Sequence, residues 1–150
     1  MIAQDTGYAV ADAERDYHRL RRRHRWSGLA NRLLRVGGCT GLTSFADVTA
    51  GLGATAQRDL GLQVVDVDTI VGSVGKVRDF DCGFRPGRRV DERRWLGIAR
   101  ALRSGESLPP VTLYRVAGRH FVQDGHHRVS ASRAVGRQSV DAFVIEVLTA

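Results

Sequence analysis

His120-Phe121-Val122-Gln123-Asp124-Gly125-His126-His127-Arg128-Val129-Ser130-Ala131-Ser132-Arg133-Ala134 is the stretch on which the fold turns. Residues 120–123 read as a strand, and residues 127–135 as a helix stopped by Gly136. Asp124-Gly125-His126-His127-Arg128 therefore joins a strand end to a helix start. Gly125 permits a tight turn and the close approach of an anion, while the free N–H groups of the first helical turn and the helix dipole favour negative charge. Arg128 adds a forked donor suited to phosphate oxygens, and His126 and His127 offer further hydrogen bonds. The same residues admit a plainer role, in which Asp124 caps the helix, one histidine packs and Arg128 is solvated. Adjacent histidines point apart on a helix and no third ligand stands at a fixed spacing, so no metal site is expected.

Working outward, Val111–Val116 predicts a second strand, joined to the first through the hairpin turn Ala117-Gly118-Arg119. Asp91 suits the N-cap of a helix whose buried stripe is Trp95, Ile98, Ala99 and Leu102, with Gly105 at its C-terminal end and Pro109-Pro110 closing the unit. Residues 62–71 alternate Val65, Val67 and Thr69 against Asp66 and Asp68, the pattern of a half-buried first strand, and residues 139–147 form the last. Strand, helix, two strands, helix, strand gives a compact α+β domain with a small mixed sheet over residues 62–150.

The chain has 150 residues, 43% hydrophobic and 26% charged, which suits one soluble domain and argues against disorder, collagen and coiled coil. It carries a formal charge of +7, and of 23 basic residues only Lys76 is a lysine. Arg15, Arg19, Arg21, Arg22, Arg23, Arg25, Arg32 and Arg35 are opposed between residues 15 and 35 only by Asp16. A helix is expected over residues 12–36, with Tyr17, Leu20, His24, Leu29 and Leu33 as its apolar stripe and Gly37-Gly38 as its stop. Residues 1–61 thus read as a basic helical extension and connector. A second, short helix is expected over residues 45–50, with Ser44 and Asp47 as a capping box ahead of Gly51-Leu52-Gly53. The arginine-rich helix suits contact with DNA or another anionic surface, and equally a solvated face packed by its stripe. No apolar run approaches a membrane span and no signal sequence is recognisable at the start. Cys39 and Cys82 lie far apart, which indicates neither a disulfide framework nor zinc and fits a reducing cytoplasm.

Residues 72–89 mix five glycines and prolines with Lys76, Arg78, Asp79, Asp81 and Arg85, a long loop of the kind that carries function. Asp79 and Asp81 are candidates for the acid or base that phosphate chemistry needs, with Lys76 and Arg78 as charge stabilisers. Asp81 reads better as a turn builder. Trp95, Phe84 and Tyr114 read as core or anchoring residues, and Cys82 as an inert thiol.

Residues 62–147 resemble the ParB/sulfiredoxin superfamily, through a first strand ending in a Val-Asp-x-Ile-type phrase, a helix, two strands and a glycine-led phosphate motif opening a helix. The resemblance implies that the phosphates of ATP, ADP or CTP, with Mg2+, sit on Gly125, His126, His127 and Arg128, helped by Lys76 and Arg78. It further implies nucleotide hydrolysis or phosphotransfer, with Asp79, Asp124 and His126 as catalytic candidates. His126 stands where sulfiredoxins have their reactive cysteine, which argues against sulfinic acid repair. The Glu-Asn-x-Gln-Arg phrase of ParB CTP switches is absent, and no helix-turn-helix pattern follows the motif. Asp-Gly-His-His-Arg is most similar to the form in the superfamily's free-serine kinases. The alternative expectations are a DNA-associated or regulatory module that uses the basic helix without catalysis, and an interaction domain that keeps only the fold.

Overall fold

The computed structural model describes residues 7–34 and 41–150. Arg35, the Gly37-Gly38 stop and Cys39 lie outside the described residues, as do the side chains of Leu29, Arg32 and Leu33. In chain order the elements are α1 (Ala9–Leu34), β1 (Thr43–Ser44), α2 (Phe45–Leu52), β2 (Ala54–Asp66), β3 (Ile70–Ser73), α3 (Glu92–Arg103), β4 (Val111–Val116), β5 (Arg119–Asp124), α4 (His126–Ala134) and β6 (Ser139–Thr149). The strands form one mixed sheet in the order β1-β3-β5-β4-β6-β2, which makes the chain an α+β fold. β3 is parallel to β1 and β5, and β4 is parallel to β6. The β4–β5 and β2–β6 pairs are antiparallel.

Local chemistry explains most of these boundaries. Ser44 accepts a hydrogen bond from the Asp47 amide and Asp91 from the Arg94 amide, which starts α2 and α3 where orphan amides need partners. Ala117 (φ 49) and Gly118 (φ 77) are both left-handed, the geometry by which a two-residue turn follows the twist of a hairpin.

The strand expected over residues 62–71 is two strands separated by a short 3-10 turn, Val67–Thr69. Asp66 accepts from the Asp68 amide at 2.8 Å, and the Thr69 hydroxyl donates to the Asp66 carbonyl at 2.7 Å. These short polar side chains compete with the ladder for backbone groups, so an alternation that mimics a strand breaks it instead. β2 begins upstream, at Ala54, and pairs with β6 from Ala54↔Thr149 to Asp66↔Ser139. Its register slips between Asp59 and Gly61, where Gly61 is left-handed (φ 71) and its amide donates to the Asp59 carboxylate.

One face of the sheet carries the main core, where Trp95, Ala99, Val129 and Ala131 of α3 and α4 meet Leu113, Val122, Ala142 and Val144. On the other face, Phe45 and Val48 of α2 cover Val116, Phe121 and Val147. The Trp95 indole donates to the Ser130 hydroxyl at 2.8 Å, which in turn donates to the Phe84 carbonyl at 2.5 Å. This buried chain of bonds fastens the loop after β3 to both helices.

α1 packs on α3 through Ala13, Tyr17 and Leu20, and the Tyr17 ring lies 5.4 Å from that of Trp95. The same face carries Asp12 and Asp16, only 1% and 3% exposed. Arg103 of α3 grips Asp16 through Nε and Nη2 at 3.0 and 2.6 Å, and its Nη1 lies 4.0 Å from Asp12. Arg15 and Arg19 close on the same two acids from their own helix, each at 3.0 Å. Part of the basic surplus of α1 is therefore neutralised inside the fold. Cys82 corrects the expectation of unpaired thiols, because it is disulfide-bonded.

Candidate functional site

β5 delivers the chain to Asp124, and α4 starts at His126 with Gly125 as its N-cap at φ 102. No side chain caps the helix. The amides of His126, His127 and Arg128 lack intrahelical partners by geometry, so the positive end of the helix dipole is open at this point. The position requires glycine twice over: its φ is left-handed, and an added Cβ would lie 2.5 Å from Val111 Cγ1. Asp124 does not cap the helix. Its carboxylate, 69% exposed, accepts from Arg128 Nη2 at 2.9 Å.

Arg128 reaches sideways. Its Nη1 donates to the carbonyls of Pro109 and Pro110 at 2.7 and 2.8 Å, which straps α4 to the segment entering β4. Nε–H and the second Nη2–H remain for a ligand. The guanidinium also lines a cleft of about 330 Å³ shared with Val111, Leu108, Ser132, Arg137 and Asp141.

His126 is buried and its ring stacks on Phe80 at 15°. Its Nε2 lies 2.6 Å from Ser73 Oγ, an oxygen that already accepts from the Gly75 and Lys76 amides at 3.2 and 2.9 Å. The Ser73 hydroxyl has two acceptors in reach, His126 Nε2 and the Val122 carbonyl at 3.5 Å, so the tautomer of His126 follows from which of them it donates to. Burial, then Lys76 and His127, push its pKa down to about 4 against a smaller pull upward from Asp124. His126 thus fixes the end of β3 to the start of α4 and carries no charge at neutral pH.

His127 is half-buried, and its Nε2 is a buried atom without a hydrogen-bond partner. Burial lowers its pKa first, Arg94 and Lys76 lower it further, and Asp91 and Asp79 oppose them. These charges define the surroundings: Lys76, exposed after β3; Asp79, half-buried in the same loop; and Asp91 with Arg94 at the start of α3. Arg78 is exposed and stands outside the set of charges acting on the two histidines. Asp81 is 2% exposed, and its carboxylate accepts from the Gly83 and Arg85 amides and from Arg85 Nε. It shapes the loop. The sequence reading did not single out Ser73 or Arg94. The signal for Arg94 was the Asp91 cap, which places it three residues on, in the first turn of α3.

The histidines make stability depend on pH. A base whose folded pKa is depressed binds protons better when unfolded, so stability is complete above the unfolded value near 6.5 and falls as pH drops toward the folded value. For His126 that window is 6.5 to about 4, equivalent to about 3 kcal/mol. His24, His120 and His127 are depressed by burial too and add in the same direction. Urea melts between pH 4 and 8 should show stability rising with pH, with a shallower rise in His126→Gln. An unchanged slope in that variant would contradict the assignment.

No family model matches this chain, and no curated protein matches it. Among solved structures it is similar to the sulfiredoxin of Arabidopsis thaliana, at 14% identity over 55% of this chain and 82% of that one, with a TM-score of 0.43.

Proposed function

We propose that the first turn of α4 binds the phosphates of a nucleotide, ATP, ADP or CTP. The observation that carries the reading is an uncapped helix N-terminus behind a left-handed glycine, beside Lys76 and Arg94. Backbone amides and the dipole supply the cradle, and the two cations supply charge. The buried Nε2 of His127 is a further group in want of a partner. The cleft that shares Arg128 offers room for the rest of the ligand. Among the described residues no group of three metal-ligating side chains comes together, so Mg2+ would arrive on the phosphates.

For phosphotransfer or hydrolysis, Asp79 is the carboxylate best disposed to act as base, since it acts on His127 and is only half-buried. Asp124 is engaged by Arg128, and His126 by Ser73, which suits both to positioning.

Thermal melts in millimolar ATP, ADP or CTP, with and without Mg2+, test the reading. A ligand at a hundred times its Kd adds about 2.7 kcal/mol to the folded state. At least one nucleotide should raise Tm while the free nucleoside does not, and Lys76→Ala should remove most of the shift. Absence of any nucleotide-dependent shift in the unaltered protein would sink the proposal.

A further inference from the structure

A second basic feature lies apart from the α4 N-terminus. A cleft of about 550 Å³ opens between α1 and the turn leading into α3, lined by Tyr17, His18, Arg21, Arg22, Arg25 and Arg88. Val90 and Glu92 complete it, so among the described lining residues four arginines face a single acid.

We propose that this cleft binds clustered phosphate groups. Its volume falls within the roughly 300–1,000 Å³ of ligand sites. His18, Arg21, Arg22 and Arg25 stand three and four residues apart on one side of α1, where the three arginine charges repel one another and weaken the helix. A fourth guanidinium, Arg88, comes from a different element and adds to that repulsion instead of relieving it. An anion is the ligand that offsets it. Guanidinium forks match phosphate oxygens in pairs, and four charges suit several phosphates in a row better than one.

The cleft is also built on held elements. Tyr17 is packed against Trp95, and Arg21 Nη1 donates to the Pro86 carbonyl at 3.4 Å, tying α1 to the segment that carries Arg88. Arg15 and Arg19, by contrast, are committed to Asp12 and Asp16, so the available charge of α1 begins at Arg21. Arg22, Arg25 and Arg88 are exposed, and replacing them should leave the fold intact.

Two sources share this chemistry: the backbone of a nucleic acid and a free polyphosphate chain. The full chain should be titrated with a fluorescent DNA duplex and, by calorimetry, with tripolyphosphate, at salt from 50 to 200 mM. Binding should fall linearly on logarithmic axes, with a slope near −0.9 per phosphate contacted on the duplex. Arg22→Gln with Arg88→Gln should weaken binding at least tenfold and reduce the duplex slope by about 2. Arg100→Gln with Arg119→Gln removes equal charge at exposed positions elsewhere and should bind both probes as the unaltered protein does, and Lys76→Ala should leave duplex binding unchanged. Duplex binding with these effects assigns the cleft to nucleic acid, and tripolyphosphate binding alone assigns it to the smaller polyanion. The proposal is overturned if neither probe binds, if the two double variants weaken binding equally, or if Lys76→Ala abolishes it.

Discussion

Arg103→Met is expected to destabilise the protein by about 1.5–3 kcal/mol, the range for charge-assisted hydrogen bonds, because it removes the α3 partner of buried Asp16 while Arg19 and Arg15 still pair with Asp16 and Asp12. Asp12 and Asp16 sit on the buried face of α1, and Arg103 is the cation that reaches both from the domain body. Arg15 and Arg19 cannot replace it, because they approach along their own helix and do not bridge α1 to α3. Domains are typically stable by about 5–15 kcal/mol, so the loss would be a large share of the whole. Replacing the triad together, Asp12→Ala, Asp16→Leu and Arg103→Met, should recover most of it, since apolar packing substitutes well for a buried ion pair. Urea midpoints at constant m-value decide the matter. A single variant within about 1 kcal/mol of the unaltered protein would mean that Arg15 and Arg19 suffice to neutralise the acids.

Gly125→Ala is expected to cost about 2–5 kcal/mol and to remove the nucleotide binding proposed for the first turn of α4. About 1–2 kcal/mol comes from forcing a residue with a Cβ into a left-handed conformation, and about 1–3 from overpacking. The new Cβ would lie 2.5 and 2.8 Å from Val111 Cγ1 and Cβ, and 3.3 Å from the Arg128 guanidinium carbon. Adding Val111→Ala should return only part of the overpacking share, because it removes the Cγ1 at 2.5 Å and keeps the Cβ at 2.8 Å. Gly118→Ala, also left-handed but with nothing within 4 Å of its Cβ, isolates the conformational share. Equal losses at Gly118 and Gly125 would show that α4 can shift away from Val111.

The parts of the fold legible in the sequence are those written in local chemistry. The Asp91 and Ser44 caps, the Ala117-Gly118 turn and the strand-glycine-helix junction at Gly125 each depend on a few neighbouring residues. What escaped depends on distant partners. Asp12 and Asp16 read as ordinary helix acids until Arg103, 87 residues from Asp16, is brought against them. Arg128 reads as a free fork until the Pro109 and Pro110 carbonyls are placed beside it. The division of residues 62–71 was missed for another reason: Asp and Thr at alternate positions satisfy both the strand pattern and the turn chemistry that interrupts it.

The pairing of β2 with β6 also sets an order of events when the chain is made. β2 is the outermost strand, and among the described residues β6 is its sole neighbour in the sheet. A ribosome adding about 5–20 residues per second must make residues 67–138 before β6 begins to appear, a delay of several seconds. Throughout that time β2 has both edges bare, and Leu62 and Val64, 60% and 73% exposed even in the finished fold, stand on it. Arg58, Asp59 and Asp66, together with the irregularity at Gly61, act as gatekeepers on this strand against pairing with other nascent chains. Its charges therefore protect the protein before there is a folded protein to stabilise.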